Sequence, residues 1–197
     1  MRRIVVANIV SLDGYYEGPN MGVMDLNMDE FFDANNLECF EAADTVLVGA
    51  ASYQGFSGYW PFVENHEDVP ADDPTARMYD EINRGISRNW NTKPIVLVSD
   101  SYQVPEDGPW ASHTTVIRRD EVADWKASGD GNVVVFASHV MWNGLLAQGL
   151  VDELRLVVAP QALGGGTPAF EAPATLTLKE TRRSEDSDNV LLVYEPA

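Results

Sequence analysis

Short segments rich in Ile and Val alternate with helix-like segments along most of this chain, and this alternation limits its fold more than any other feature. Strands that alternate with helices form a largely parallel sheet covered on both faces. We therefore predict one α/β domain over residues 1–197, with a three-layer αβα architecture. The predicted strands are 3–10, 45–48, 94–99, 114–117, 132–136 and 154–159, and the predicted helices are 29–43, 51–56, 75–88, 119–127 and 138–148.

The end of the chain breaks this alternation. Residues 175–183 and 190–195 both have strand-like patterns, and the polar segment 184–189 between them is typical of a hairpin tip. An antiparallel hairpin at the edge of a parallel sheet gives a mixed sheet. The sequence therefore predicts a central mixed sheet of about eight strands that ends in a C-terminal antiparallel hairpin.

Charge and composition limit the partners. The net charge of −18 repels nucleic acids and anionic lipids, and it opposes a phosphorylated cofactor unless local donors overcome it. No apolar run approaches the roughly 20 residues that span a bilayer. Cys39 is the only cysteine, so no internal disulfide forms, and His66, His113 and His139 lack metal-ligand spacing. We expect a cytoplasmic protein with a small-molecule partner, no metal, no nucleic acid and no membrane.

A glycine-rich turn follows one of the predicted strands. After the segment Leu154–Ala159, Pro160 closes the strand and Gly164, Gly165 and Gly166 follow. Glycine tolerates positive φ and leaves room for a ligand, and open α/β sheets bind ligands at the carboxyl ends of their strands. The turn is therefore either part of a ligand crevice or a purely structural feature.

Three predicted strand ends carry small or hydroxyl residues, in the segments 48–53, 98–101 and 135–139. Where such a strand end leads directly into a helix, the free N–H groups at the start of the helix attract anions. Ser52 and Ser138 could instead cap their own helices. Neither a G-x-G-x-x-G pattern nor a P-loop lysine pattern occurs in the sequence.

Asp13 lies in a turn directly after the first predicted strand, next to Gly14. A carboxylate at such a strand end can orient a substrate or relay a proton. Aspartate is also a common turn former, because its side chain bonds nearby backbone N–H groups. Asp13 is therefore either a catalytic candidate or a turn residue.

Four aromatic residues cluster beside the first of these strand ends, at Tyr53, Phe56, Tyr59 and Trp60. Aromatic clusters of this kind form either part of a hydrophobic core or the walls of a site for a flat ring. No G-x-S-x-G elbow surrounds any serine, so a hydrolase triad has little support.

Five segments in one order resemble a known superfamily: Ser11–Gly14, Ala43–Gly49, Tyr59–Pro61, Gly149–Leu154 and Pro160–Gly166. Together they resemble the dihydrofolate reductase-like superfamily. The closer resemblance is to the C-terminal reductase domain of the bifunctional riboflavin-biosynthesis deaminase/reductase and to its stand-alone bacterial relatives. It covers essentially the whole chain.

The resemblance implies NADPH as the hydride donor, a pteridine- or pyrimidine-like substrate, and a homodimer. It gives Asp13 a catalytic role, in orienting the substrate or assisting its protonation. It places Tyr53, Phe56 and Trp60 over the substrate ring. The residues that it implies for the cofactor cleft are Gly49, Ser52, Ser99, Asp100, Ser101, Ala137, Ser138, His139, Val140, Gly164 and Gly165.

The sequence departs from the pattern of this superfamily at all three cofactor junctions. Ala50 and Asp100 stand where the superfamily has arginines, and Ala137 stands where it usually has glycine. Losing two charge-assisted phosphate contacts weakens binding by about two to four orders of magnitude. The changes leave several alternatives: a preference for NADH, arginines supplied from 84 or 88, a flavin or other nucleotide, or a non-catalytic module that binds a ligand or serves assembly.

Overall fold

The computed structural model describes residues 1–20 and 23–197. Apolar β-branched runs form most of its strands, as their propensity for pleated, buried surfaces predicts. The strands are β1 (Arg3–Ser11), β2 (Tyr15–Glu17), β3 (Thr45–Gly49), β4 (Ile95–Val98), β5 (Thr114–Ile117), β6 (Asn132–Phe136), β7 (Glu153–Ala159), β8 (Thr167–Pro168), β9 (Leu176–Arg183) and β10 (Val190–Pro196).

Eight of these strands form one mixed sheet in the order β5-β4-β3-β6-β1-β7-β10-β9. The strands from β5 to β7 run parallel to their neighbours. Strand β10 lies antiparallel to β7, and β9 lies antiparallel to β10. The predicted mixed sheet with a C-terminal hairpin is confirmed.

Within residues 1–20 and 23–197, six α-helices cover the sheet. They are α1 (Glu30–Ala42), α2 (Ala50–Ser57), α3 (Trp60–Val63), α4 (Glu81–Thr92), α5 (Val122–Ala127) and α6 (His139–Ala147). In the described part of the chain, none of the helices combines the length and the apolar character needed to cross a membrane.

The predicted helix over 75–88 was wrong as one element. The structure has a 3₁₀ turn at Ala76–Tyr79, and α4 begins only after Asp80. The backbone of Asp80 is extended, and its carboxylate accepts the N–H of Asn83 at 2.8 Å. An aspartate in this N-cap geometry starts a new helix and so ends the preceding turn.

Helices α1 and α4 pack on one face of the sheet, where Phe40 and Trp90 share a core with Val48. Helices α5 and α6 pack on the other face, around Val122 and Trp142. The three-layer architecture is therefore confirmed. Adjacent strands β1 and β6 are followed by helices on opposite faces, and such a switch opens a crevice at the carboxyl ends of the strands.

A small two-stranded sheet, β2 paired with β8, was not predicted because its strands are too short to carry a pattern. It joins the segment after β1 to the glycine turn after β7. Gly166 has a φ of +125°, and an added Cβ would collide with the carbonyl oxygen of Glu17. This position therefore requires glycine for close backbone approach.

Candidate functional site

Two strand-to-helix corners are fastened to each other at the carboxyl edge of the sheet. The N–H of Gly49 donates to Ser138 Oγ at 3.0 Å, and the N–H of Ser138 donates to Ser52 Oγ at 2.9 Å. Ser52 lies inside α2, so the N-cap alternative was wrong for it. Ser138 does occupy the N-cap position of α6, but its side chain makes no capping bond. The two hydroxyls instead hold the β3–α2 and β6–α6 corners together.

The β6–α6 corner has a strained backbone. Ala137 and Ser138 have φ values of 47° and 55°, a left-handed region that non-glycine residues seldom adopt. Asn8, buried within β1, supports the corner because its side-chain amide donates to the Ala137 carbonyl oxygen at 3.3 Å. Strain of this kind is typical of ligand-binding corners.

We expect Ala137→Gly to raise the free energy of unfolding by about 1 kcal/mol, because glycine removes the steric cost of the left-handed conformation. Urea denaturation of the variant and the wild type measures this difference. Ala147→Gly, at the last residue of α6, is the control and should destabilise the protein. An unchanged or lowered stability of Ala137→Gly would show that the corner is not strained.

The third corner follows β4, whose residue Val98 pairs with Gly49 of β3. Ser99 Oγ accepts the N–H of Ser101 at 3.3 Å, which tightens the turn. Asp100 is exposed and faces the corner after β5, because its carboxylate accepts the N–H of Arg119 at 3.1 Å and lies 3.4 Å from Arg119 Nε. The three predicted corners therefore lie along one edge of the sheet.

The arginines suggested as replacements lie elsewhere. Arg84 donates to the Glu64 carbonyl oxygen at 2.8 Å, and Arg88 lies 2.5 Å from Glu81. The guanidinium group beside Asp100 comes instead from Arg119, a residue that the sequence comparison with the superfamily did not indicate.

A cavity of about 450 Å³ lies below the carboxyl ends of β1 and β6. This volume suits a small ligand, and most of its lining is apolar. Of the three aromatic residues expected over a substrate ring, Phe56 and Trp60 line this cavity and Tyr53 does not. Tyr53 is buried in the core, where its ring packs 5.6 Å from that of Trp110 and its hydroxyl lies 3.3 Å from Thr114 Oγ1.

A polar cluster lies at one side of this cavity. Asp33 of α1 is buried, and its Oδ2 accepts bonds from Arg77 at 2.6 Å and from Asn83 at 3.2 Å. Burial raises the pKa of Asp33 to about 6, although Arg77 and Asn83 act in the opposite direction. One helical turn further, Asn36 also lines the cavity, and its Oδ1 is buried without a partner among the described residues.

The residues of this cluster were missed in the sequence. Asp33, Asn36 and Phe40 follow the i, i+3, i+7 spacing of one helix face, so two polar residues lie on the stripe that carries the buried Phe40. A carboxylate and an amide on a buried stripe were the available signal, since such groups are seldom buried without a reason. Arg77 and Asn83 join them only through tertiary packing.

Asp13 contacts the glycine turn, and it is absent from the residues that line the cavity. Its carboxylate accepts the N–H groups of Leu163 at 3.0 Å and Gly164 at 2.7 Å, and the hydroxyl of Ser11 at 2.7 Å. These donors, with Ser11 first, lower the pKa of Asp13 to about 2. The geometry favours the turn-forming role of Asp13 over the catalytic one.

His139 and Val140, predicted at the cofactor cleft, open α6. His139 Nε2 lies 2.8 Å from the Pro168 carbonyl oxygen, and its ring packs 4.8 Å from that of Tyr16, which lines the cavity. The side chain of Val140 is exposed. Gly164 and Gly165 border the same edge of the sheet but, like Asp13, are not among the cavity-lining residues.

A family model confirms the resemblance noted from the sequence. The model of the RibD C-terminal domain matches residues 2–192. The chain belongs to the RibD C-terminal domain family. Members of a family share a fold more securely than an activity, so the match settles the architecture and leaves the reaction to the site.

Two relatives of this RibD C-terminal domain protein illustrate how far sequence can diverge within a shared fold. YyaP, an uncharacterized protein of Bacillus subtilis (strain 168), is 25% identical over 198 residues, which cover 98% of this chain and 94% of YyaP. A diaminohydroxyphosphoribosylaminopyrimidine deaminase/5-amino-6-(5-phosphoribosylamino)uracil reductase of Thermotoga maritima superposes with a TM-score of 0.65 at 12% identity, over 100% of this chain and 57% of that one.

A second solved structure carries a bound nucleotide. Dihydrofolate reductase of Enterococcus faecalis, complexed with NADP(H), superposes with a TM-score of 0.57 at 12% identity, over 98% of this chain and 96% of that one. At such identities the likeness shows the shared fold and nothing finer.

Proposed function

We propose that this RibD C-terminal domain protein is a reductase that transfers a hydride from a nicotinamide dinucleotide to a planar heterocycle. One observation supports this most directly: Ala137 belongs both to the strained corner at the sheet edge and to the wall of the cavity. A dinucleotide along the corners and a ring in the cavity would therefore meet at Ala137.

The corners fit the pyrophosphate of a dinucleotide. In the described chain no side chain caps α2 or α6, and the first backbone bond of α6 is from the N–H of Trp142 to the Ser138 carbonyl oxygen. The N–H groups of residues 139–141 therefore precede the first helical bond and remain available to an anion. The nicotinamide supplies the hydride, while the protein positions both partners.

The cavity residues have separate roles in this proposal. Phe56 and Trp60 form apolar walls against the ring and exclude water. Asp33 supplies the proton that the ring takes up with the hydride, since a general acid works best with a pKa near the working pH and burial brings its pKa to about 6. Asp13, with a pKa of about 2, holds the glycine turn in place.

The choice between NADPH and NADH depends on charge at the β4 and β5 corners. Asp100 would repel the 2′-phosphate of NADPH, whereas the neighbouring guanidinium of Arg119 would attract it. Because the two charges largely cancel, we propose that the protein uses both nucleotides with little preference. The proposal also places the remaining predicted residues in the cofactor cleft, including Ser101, Val140, Gly164 and Gly165.

Asp100→Asn should tighten NADPH binding by about tenfold and leave NADH binding nearly unchanged, since one repulsive charge is worth roughly 1.4 kcal/mol beside a phosphate. The amide oxygen of asparagine can still accept the N–H of Arg119. Asp186→Asn, in the β9–β10 turn at the far sheet edge, makes the same charge change and should affect neither nucleotide. Equal effects of the two variants would place residue 100 outside the cofactor site.

Nucleotide titration tests the proposed reductase itself. Trp60 and Trp90 line the cavity, so quenching of tryptophan fluorescence can follow NADPH and NADH binding. We expect saturation with both nucleotides below about 1 mM, the upper range of typical Michaelis constants. Saturation with neither nucleotide would overturn the reductase and favour a non-catalytic ligand-binding or assembly module.

We also infer a cytoplasmic homodimer that folds as one domain and acts on small molecules. The net charge of −18 supports the absence of nucleic-acid and membrane partners, because it repels both surfaces. Light scattering of the purified protein measures the oligomeric state, and a monomer would contradict the homodimer.

A further inference from the structure

The charge balance of the cavity limits the substrates that it can accept. Among the described residues that line the cavity, Arg77 is the only cation. Its guanidinium is already bound to Asp33 at 2.6 Å and to the carbonyl oxygen of Met28. The charges of Arg77 and Asp33 cancel, so the described lining of the cavity has no unpaired cation that could bind an anionic group.

A phosphate would be unfavourable in such a cavity. Moving an anion out of water costs several kcal/mol unless a cation or several donors replace its hydration. The other polar side chains of the wall are those of Asn8, Asn36, Asn83, Tyr16 and Tyr59. The amide groups of Asn8 and Asn83 and the hydroxyl of Tyr59 already donate to protein oxygens. The hydroxyl of Tyr16 is one neutral donor, which replaces little of the hydration of a phosphate. The remaining wall is mostly apolar.

Asn36 can accept a hydrogen bond from a ligand, whereas it offers no charge to an anion. Its Oδ1 is buried in the cavity wall and has no hydrogen-bond partner in the described structure. A buried acceptor without a partner costs free energy that a ligand donor would recover. Asp33 lies one helical turn away, so α1 presents two acceptor groups toward one side of the cavity.

We propose that the cavity selects an unphosphorylated ring bearing neighbouring N–H donors, with Asn36 Oδ1 accepting one donor and the Asp33 carboxylate accepting another. The proposal rests on the reductase function for calling this ring a substrate. It separates this chain from the Thermotoga maritima relative, whose described reductase substrate carries a phosphoribosyl group. Neutral or cationic aminopyrimidine and aminopteridine rings have the required chemistry.

Neopterin and neopterin 3′-monophosphate are a matched pair of probes, because they differ only in the phosphate and share a ring with neighbouring N–H donors. Binding to the nucleotide-free protein is followed by tryptophan fluorescence. We expect neopterin to bind at least about tenfold more tightly than its monophosphate, which corresponds to about 1.4 kcal/mol. Equal or tighter binding of the monophosphate would overturn the proposal.

Asn36→Leu tests the role of the amide oxygen. It should weaken neopterin binding about tenfold, the upper range for one hydrogen bond, without lowering the melting temperature of the free protein, because it removes an unpartnered buried acceptor. Asn89→Leu removes an amide from α4 outside the cavity and should leave neopterin binding unchanged. Unchanged binding in Asn36→Leu would overturn the assignment.

Separate assays test the ring selectivity of the cavity and the reductase function. The ring assay contains no dinucleotide, and the nucleotide titration contains no ring. If neopterin binds as expected while neither nucleotide saturates, the ring selection stands and the reductase does not. If the nucleotides saturate while the monophosphate binds best, the reductase stands and the selection falls.

Discussion

Asp33→Asn is expected to stabilise the free protein above pH 6 while impairing its cavity. The pKa of Asp33 is raised in the fold from 3.8 to about 6, mainly by burial. Between those values the folded protein keeps a proton that the unfolded chain loses, so stability falls as the pH rises through this window. A shift of about two units corresponds to roughly 3 kcal/mol at neutral pH.

Asparagine has nearly the same shape and cannot ionise, so Asp33→Asn should recover up to about 3 kcal/mol at pH 7 and remove this part of the pH dependence. Urea denaturation at pH 4, 5, 6 and 7 measures both effects. The same variant should lose reductase activity, since the proposal assigns proton transfer to the Asp33 carboxyl group. A stabilised but inactive variant is the outcome that the proposed reductase function predicts.

Asp13→Asn provides a control of opposite sign. The pKa of Asp13 is lowered to about 2 by Ser11 and by the N–H groups of the glycine turn. The stability that its carboxylate contributes is therefore present above pH 3.8 and is lost as the pH falls toward 2. At pH 7 Asp13→Asn should destabilise the protein. If both variants shift stability in the same direction, the contrast between the two environments is wrong.

Asp152→Ala should destabilise the protein by about 3–5 kcal/mol, because it leaves a buried ammonium without its partner. The side chain of Lys126 is 5% exposed, and its Nζ lies 2.6 Å from Asp152 Oδ2 and 2.7 Å from the Leu150 carbonyl oxygen. The same Oδ2 also accepts the N–H of Ile4 at 2.7 Å. The carboxylate thus joins α5, the start of β7 and β1.

Lys126→Met is the matched variant, and it should cost less than Asp152→Ala. The side chain of Asp152 is 38% exposed, so water can replace the lost ammonium, whereas methionine fills the buried volume of the lysine stem. The double variant should be more stable than Asp152→Ala alone, since it leaves no unpaired buried charge. Chemical denaturation of all three variants completes the cycle. A loss below about 1 kcal/mol in Asp152→Ala would contradict the assigned pairing.

Sequence patterns predicted the regular elements because their causes are local. The strands 132–136 and 114–117 agree with β6 and β5 in full. Residues 133–136 of β6 form a buried apolar run, whereas β5 is an edge strand rich in β-branched residues, so residue type alone identified both. The helix predicted over 75–88 was wrong because a single cap, Asp80, starts a new helix within it. The strands β2 and β8 are too short for any periodicity.

The candidate site could be predicted only in part. The order of strands and helices was enough to place the three corners at the carboxyl edge, because parallel strands end at a common edge. It could not show that Ser52 and Ser138 bond across to the neighbouring corner instead of capping their own helices. A serine at a helix start can either cap its own helix or bond to a neighbouring corner. The sequence does not show which corner lies beside it, so it cannot distinguish the two roles.

The pairing of charged residues was the other feature that the sequence could not predict. Arg119 is 19 residues from Asp100, and their contact depends on the adjacency of β4 and β5. Arg77 and Asp33 are 44 residues apart and meet only where a 3₁₀ turn packs against α1. A sequence motif specifies residue types at fixed spacings. It therefore cannot show that a charged side chain from another helix, strand or turn reaches the same place.

The sequence alone determined the α/β architecture and the likeness to dihydrofolate reductase-like reductases, because periodicity and short motifs are properties of consecutive residues. Tertiary structure alone decided which carboxylate enters the cavity: Asp33 is buried there with its pKa raised, while Asp13 is bound to the glycine turn with its pKa lowered. Both are aspartates beside apolar segments. Only desolvation and hydrogen-bond donors, set by the packing around each one, give them different chemistry.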